Sequence, residues 1–164
     1  MELWDGYDAD GNKLNIDLVR GEPIPDGTYH LVAEVLVRHT DGSYLVTQRA
    51  LDKHQYGGYW EASAGGSVLK GETALEAAAR ELFEETGIRA NNFELLDTLV
   101  GEHAIFVTYL CLTGWSKKGI ALQENETIDY FWLSHSELLD FMETPDFAPP
   151  VRKRILPLLS KLGE

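Results

Sequence analysis

The sequence is poor in cysteine and in basic residues. Its 164 residues include one cysteine, Cys111, so no disulfide can form within the chain. Cys111 lies in the apolar run FVTYLCL, where we expect a buried thiol rather than a nucleophile or a metal ligand. Lysine and arginine number 14 against 27 aspartates and glutamates, which gives a formal net charge of −13. Because polyanion binding needs basic side chains to neutralise phosphates, no nucleic-acid partner is expected, whereas a small phosphorylated substrate is compatible.

Long apolar segments are also missing. No run approaches the roughly 18 apolar residues that suggest a membrane span. The N-terminal stretch MELWDGYDADG has neither the basic nor the apolar region of a secretory signal. The sequence therefore predicts no membrane partner and a cytoplasmic location. Its length suits one domain with a real core better than two, so we expect a single domain over residues 1–164.

Residues 66–88, GSVLKGETALEAAARELFEETGI, predict a capped helix. Thr73 with Glu76 three residues later forms a capping box that satisfies free backbone donors of the first turn. Gly87 can take the left-handed conformation that ends a helix, and Ile88 is expected to fold back onto the last turn. Helical spacing predicts one buried stripe composed of Leu75, Ala78, Ala79, Leu82, Phe83 and Thr86.

Three carboxylates, those of Glu81, Glu84 and Glu85, are placed by the same spacing on the face opposite the stripe. Only Arg80 lies within reach of Glu84 along the helix, and each like-charge pair destabilises the helix by roughly 0.2–0.5 kcal/mol. Mg²⁺ prefers oxygen ligands and shares its shell with substrate phosphates, so it would reverse this repulsion. The alternative is a solvated acidic helix face.

The surrounding pattern resembles the Nudix box, G-x5-E-x7-R-E-U-x-E-E-x-G-U, where U is a bulky apolar residue. The matching positions are Gly66, Glu72, Arg80, Glu81, Leu82, Glu84, Glu85, Gly87 and Ile88. This resemblance implies an α+β fold, a Nudix-type α/β/α sandwich with a mixed β-sheet and a central box helix. It implies Glu84 and Glu85 as ligands of Mg²⁺ or Mn²⁺, Glu81 as a further ligand or water-orienting base, and the Gly66 carbonyl as completing the shell. A homodimer is also common in the family.

Two catalytic roles outside metal ligation follow from the same resemblance. Arg80 would orient Glu81, and the structural alternative is an ion pair between Arg80 and Glu72 that ties the box loop to the helix. In many Nudix hydrolases the general base is a glutamate before a late strand. The matching region makes Glu126 the first candidate and Glu124 the second, and the alternative is a polar loop that faces water.

Residues 30–53 resemble the branch of this superfamily that contains isopentenyl-diphosphate isomerase. In that branch the arginine and lysine of a Q-R-x-x-x-K stretch bind diphosphate, which carries over to Arg49 and Lys53; a solvated strand end is the alternative. His30 matches a metal ligand of the isomerase, although a histidine at a strand start can equally be structural. The segment WEASAGG at 60–66 lacks the cysteine of the isomerase, and the box here is intact. Hydrolysis is therefore expected rather than isomerisation.

The rest of the chain predicts strands and late helices around the box. Residues 1–27 predict an N-terminal hairpin extension. A capping box at Ser134 and Glu137 starts one helix, and Pro149-Pro150 starts another that Pro157 should kink or split. Further strands are predicted at 30–38, 43–49, 60–64, 93–100, 104–112 and 127–133.

The function predicted from these patterns is Mg²⁺-dependent hydrolysis of a diphosphate bond in a nucleoside diphosphate or a nucleoside-diphosphate-linked small molecule. One alternative is an isopentenyl-diphosphate isomerase-like enzyme, and another is a non-catalytic module that senses a nucleotide. Trp60, Tyr56 and Tyr109 could stack a nucleobase, but core or surface packing explains each of them as well.

Overall fold

A computed structural model describes residues 1–163 of the chain. Over these residues the chain forms nine strands and three helices. The strands are β1 (Leu3–Tyr7), β2 (Lys13–Val19), β3 (His30–His39), β4 (Tyr44–Arg49), β5 (Trp60–Ala62), β6 (Ala64–Ser67), β7 (Phe93–Val100), β8 (Ala104–Thr113) and β9 (Thr127–Leu133). The helices are α1 (Ala74–Thr86), α2 (His135–Met142) and α3 (Pro149–Leu162).

Seven strands build one mixed sheet with the core order β5-β4-β3-β8-β7, to which β6 adds beside β3 and β9 beside β4. Strands β3 and β8 run parallel, and the other pairs are antiparallel. Successive side chains of a strand point to opposite faces, so β3 contributes to two cores. Val35 packs with α1 on one face, and Leu36 packs with α2 and α3 on the other. The predicted mixed sheet with helices on both faces is confirmed.

The sheet forks beside β3, and this fork creates room for a site. Strands β3 and β4 pair directly only near their connecting turn, at Arg38 and Tyr44. Beyond that point β5 pairs with β4 while β6 pairs with β3, so the two halves diverge. Ser63 joins β5 to β6 at a φ of 27°, a conformation that side chains rarely adopt. Its hydroxyl holds both halves, because it accepts from the Val37 N–H (2.7 Å) and donates to the Leu45 carbonyl (2.8 Å).

The N-terminal hairpin, β1 with β2, forms where the sequence predicts it and packs against the start of β3. Asp8 holds the turn by accepting from the backbone N–H groups of Asp10 and Asn12, both at 2.9 Å. The ring of Trp4 stacks on His30 with centroids 4.1 Å apart. The hairpin therefore covers the end of β3 at which the sequence analysis considered a metal-binding histidine.

Helix α1 has the predicted caps but a different rotation. The Thr73–Glu76 capping box is present, and Gly87 ends the helix at a φ of 79°. The predicted stripe is wrong at Leu75 and Phe83, which are 47% and 42% exposed, whereas Ala77 is buried. Small alanines let α1 approach the sheet closely, which turns the two large residues outward. Ile88 is fully buried in the core, and the guanidinium of Arg89 lies over the Phe83 ring, 4.1 Å from its centroid.

Two further predictions meet different outcomes. Pro157 does not split the last helix, since α3 is continuous through it. Its ring lies on the exposed side while Ile155, Leu158 and Leu159 are buried, so packing on the other side maintains the helix.

Cys111 is buried as predicted, and burial raises the pKa of its thiol to about 11, which keeps it neutral at ordinary pH. Within residues 1–163, no helix is long and apolar enough to cross a bilayer.

Candidate active site

A cavity of about 630 Å³ opens at the fork of the sheet, a size typical of small-molecule sites. Seven glutamates and five basic residues contribute to its wall, and no aromatic side chain of residues 1–163 does. The structure brings together all the residues that the sequence analysis assigned to the site: Glu81, Glu84, Glu85, Gly66, Arg80, Arg49, Lys53 and Glu126. His30, Glu124, Trp60, Tyr56 and Tyr109 lie outside the wall. The suggestion of an aromatic platform for a nucleobase is thus not supported within this chain.

Glu81 and Glu85 form the centre of the site because α1 turns them toward β6. The backbone N–H of Gly65 donates to Oε2 of Glu85 at 3.2 Å. Glu81 lies against Gly66 so closely that a Cβ on Gly66 would be 2.4 Å from the Glu81 carboxylate. The pKa of Glu85 is raised well above its usual value, mainly by burial and secondly by the negative charges of Glu61 and Glu81. Burial also raises the pKa of Glu81, against the opposing effect of Arg80.

Arg80 links the box loop to α1. It donates to both Glu72 carboxylate oxygens, from Nε at 2.7 Å and Nη2 at 2.9 Å. It also donates to Oε1 of Glu81 at 2.7 Å, to Oε2 of Glu84 at 3.3 Å and to the Ser67 carbonyl at 3.2 Å. The two sequence interpretations of Arg80 are therefore compatible, since one guanidinium both holds the loop and contacts Glu81.

Replacing Arg80 by alanine is expected to lower the free energy of unfolding by about 2–3 kcal/mol. The change leaves Glu72 and Glu81 without their cation, and a hydrogen bond to a charged group contributes about 1.5–3 kcal/mol. Urea unfolding at neutral pH measures the difference. Arg89→Ala is the matched control, because Arg89 lies over the exposed ring of Phe83 and outside the cavity wall. Equal losses in the two variants would contradict a specific role of Arg80 in holding the loop.

The donor chemistry of the cavity fits a divalent cation of the Mg²⁺ type. The negative charges of Glu61 and Glu81 both act on Glu85 in a partly enclosed wall, and these three carboxylates offer only hard oxygen ligands. Across residues 1–163, however, no three acidic, histidine or cysteine side chains are already gathered in a metal-holding geometry. Nη1 of Arg80 instead contacts both Glu81 (2.7 Å) and Glu84 (3.3 Å), and the side chain of Glu84 is 41% exposed. To bind one cation together with Glu81 and Glu85, Glu84 would have to leave Arg80.

The two cations predicted to bind diphosphate are each paired with a carboxylate. Nη1 of Arg49 lies 3.3 Å from Oε1 of Glu61, and its Nε donates to the Gln55 carbonyl at 3.2 Å. Lys53 forms a close ion pair with Glu126. The backbone N–H of Ala50 also donates to the Glu126 carbonyl at 2.9 Å, which ties the two loops together. The candidate general base is thus in direct contact with a candidate phosphate-binding residue.

Sequence reasoning missed five charged residues of the wall: Glu2, Arg20, Glu34, Glu61 and Arg154. Glu34 is an acidic residue inside the apolar run of β3 and is 9% exposed, a local signal that could have been found. Glu61 had a weaker signal, because β5 is only three residues long. Arg154 had none, since the pairing of a residue of α3 with one 120 positions earlier depends on tertiary structure.

Comparisons with known proteins agree with this geometry. A family model described as NUDIX domain matches residues 28–159. An uncharacterised Nudix hydrolase of Listeria monocytogenes is 32% identical over 159 residues, which cover 91% of this chain and 89% of that protein. An isopentenyl-diphosphate Delta-isomerase of Corynebacterium diphtheriae is 28% identical over 134 residues, covering 75% and 73%. The crystal structure of DR0079 from Deinococcus radiodurans matches in fold with a TM-score of 0.79 over 99% of this chain and all of that one, at 18% identity. Both resemblances inferred from the sequence are thereby confirmed.

Proposed function

Because this chain belongs to the Nudix hydrolase family, we propose that it uses Mg²⁺ to hydrolyse the diphosphate bond of a nucleoside diphosphate or a nucleoside-diphosphate-linked small molecule. The observation that supports this most directly is the Glu81–Glu85 carboxylate pair in the cavity wall that also holds Arg49 and Lys53. A metal–diphosphate complex requires carboxylates for the metal on one side and cations for the phosphates on the other, and Arg49 and Lys53 supply these cations once they leave Glu61 and Glu126. Mn²⁺ would satisfy the same oxygen donors.

The metal would be held by Glu85, Glu84, Glu81 and the Gly66 carbonyl. Its chemistry there is to polarise the phosphoryl oxygens and to lower the pKa of an attacking water. Arg80 fixes Glu81 through a 2.7 Å hydrogen bond, so the carboxylate keeps its direction when Glu84 turns away. Arg49 and Lys53 would neutralise the diphosphate and the leaving oxygen.

Glu126 would act as the general base, because it lies in the wall and its partner is a diphosphate-binding residue. When Lys53 turns to the substrate, the Glu126 carboxylate becomes available to accept a proton from water. Glu124 is disfavoured by its position outside the wall. Glu81 is the other candidate, and the pH dependence of Glu126→Gln distinguishes the two.

Isomerisation of isopentenyl diphosphate is supported by the isomerase relatives but not by the residues of the wall. Isomerisation needs an acid and a base beside the double bond. No cysteine or histidine of residues 1–163 lines the cavity, so neither a thiol nor an imidazole is there to serve as one of them. Most wall residues carry polar or charged groups, which suit a sugar or a base better than a hydrocarbon tail. The nucleotide substrate is therefore preferred.

A substrate panel with added Mg²⁺ tests the proposal. The assay measures release of phosphate or monophosphate from nucleoside diphosphates, nucleotide sugars, ADP-ribose and dinucleoside polyphosphates. Isopentenyl diphosphate is included to test for isomerisation. We expect release from at least one nucleotide, loss of that release with EDTA, and recovery with Mg²⁺ or Mn²⁺. Formation of the allylic isomer without phosphate release would contradict hydrolysis, and tight nucleotide binding without any release would support the sensor.

A further inference from the structure

The cavity has a second charged group on the side of the sheet away from α1, formed by Glu34 and Arg154. Glu34 lies in the middle of β3, on the face that packs against α2 and α3. Nε of Arg154 donates to Oε1 of Glu34 at 2.8 Å, and Nη2 donates to the same oxygen. Both side chains line the cavity that contains Glu81 and Glu85. The cavity therefore extends from the box helix to the C-terminal helix.

Arg154 is held in one orientation by contacts on two sides. Its guanidinium lies over the ring of Phe106, 4.0 Å from the centroid, while Glu34 fixes its edge. Thr108 in turn donates to Oε2 of Glu34 at 3.2 Å. Only 16% of the Arg154 side chain and 12% of the Glu34 side chain are exposed. A long, flexible side chain has thus lost most of its freedom before any ligand arrives, which favours specific recognition.

Hydrogen-bonding capacity remains on both members of the pair. A guanidinium has five N–H groups, and Glu34 takes two of them, so three have no partner among residues 1–163. A carboxylate has about four acceptor sites, of which Arg154 and Thr108 use three. The pair consequently presents several donors beside one acceptor.

The charge of the pair indicates what it recognises. The positive charge of Arg154 is neutralised by Glu34 in direct contact, so the pair attracts a second phosphate weakly. Arg49 and Lys53 are also ion-paired, but the resemblance assigns the diphosphate to them, and their pairs are more exposed (25% and 22%, 24% and 41%) than Arg154 and Glu34 (16% and 12%). An uncharged group that carries both acceptors and a donor, such as a sugar diol or the edge of a nucleobase, matches the remaining hydrogen-bonding sites.

We propose that Arg154, oriented by Glu34 and Phe106, is a specificity-determining residue that binds the uncharged polar part of the substrate, the sugar or base joined to the diphosphate. The inference rests on the proposed function, because it assumes that a diphosphate is bound at the box helix. Beyond that function, the inference states that Arg154 discriminates between substrates that carry the same diphosphate but differ in the group attached to it. A substrate with an alkyl group in place of the nucleoside gains nothing from Arg154.

Equilibrium binding tests the proposal without requiring turnover. The probes are ADP-ribose, ADP, 2′,3′-dideoxyadenosine diphosphate and methyl diphosphate, each titrated by calorimetry with Mg²⁺ present. Arg154→Met is expected to weaken the binding of ADP-ribose or ADP about ten- to a hundredfold, since hydrogen bonds to a charged group are lost. Methyl diphosphate should change less than twofold. A smaller loss for the dideoxy nucleotide identifies the ribose hydroxyls as the bound group, and an equal loss identifies the base.

Arg154→Lys separates recognition from a purely structural ion pair. Lysine keeps a cation beside Glu34 and should preserve the unfolding midpoint, but it lacks the planar fork of N–H groups, so nucleotide binding should still weaken. Arg152→Met is the matched control on α3, because Arg152 pairs with exposed Glu143 and lies outside the cavity wall. Wild-type affinity in Arg154→Lys, or equal losses for ADP-ribose and methyl diphosphate in Arg154→Met, would overturn the proposal.

Failure of the proposed function gives a different result. A wild-type protein that binds ADP-ribose more tightly than methyl diphosphate, but hydrolyses neither, refutes hydrolysis and still supports recognition by Arg154 if Arg154→Met removes the preference. A wild-type protein that hydrolyses these diphosphates without any preference for a nucleoside supports hydrolysis and overturns the inference about Arg154.

Discussion

Glu85→Gln is expected to reduce Mg²⁺-dependent hydrolysis at least about a thousandfold while leaving the fold intact. Glu85 lies in the cavity wall beside Glu61 and Glu81, and its negative charge is the property that a metal ion would use. A catalytic metal contributes several kcal/mol to the stabilisation of a transition state, and each 1.36 kcal/mol is a factor of ten in rate. Steady-state phosphate release over a range of Mg²⁺ concentrations measures the loss.

The fold of this variant should survive, because glutamine has the shape of glutamate and keeps an oxygen that accepts from the Gly65 N–H. The far-UV circular dichroism and the urea midpoint of the metal-free variant are expected to match the wild type or to exceed it, since one of several repelling carboxylates has been neutralised. Glu94→Gln is the matched control, because Glu94 is an exposed glutamate of β7 outside the cavity wall. A fully active Glu85→Gln protein would falsify the assignment of this helix as the metal site.

Gly66→Ala is expected to lower the same activity about a hundredfold through a single methyl group. A Cβ on Gly66 would lie 2.4 Å from Cδ and Oε1 of Glu81, so the carboxylate must move by roughly 1 Å. A misplacement of this size in a catalytic group costs on the order of a hundredfold in rate. Measurements of kcat and of the Mg²⁺ concentration for half-maximal activity should show a change in both.

The stability of Gly66→Ala should remain within about 1 kcal/mol of the wild type. The displaced atoms are the end of a side chain, and Gly66 does not require a positive φ, so alanine fits the backbone. Gly114→Ala is the matched control, since its Cβ would meet only Thr40 at 3.9 Å. Equal activities of the two alanine variants would show that the close approach of Gly66 to Glu81 has no role in catalysis.

Local sequence determined the helix that carries the site. The caps of α1 depend on Thr73, Glu76 and Gly87, which act within a few residues of one another, so their spacing was sufficient. The last strand was predicted with its observed bounds for a similar reason, because five of the seven residues of Thr127–Leu133 are β-branched or aromatic. The spacing of Arg80, Glu81, Glu84 and Glu85 also identified the family, as the match over residues 28–159 confirms.

Tertiary structure decided which face of α1 is buried and which residues share the cavity. Spacing alone favoured burial of Leu75 and Phe83, but α1 packs Ala77, Ala78 and Leu82 against the sheet and leaves those two side chains exposed. The contact of Arg154 with Glu34 joins positions 120 residues apart, and no local pattern encodes such a separation. The residues proposed to hold the metal are close together in the sequence. Those that would recognise the remainder of the substrate meet only in the folded chain.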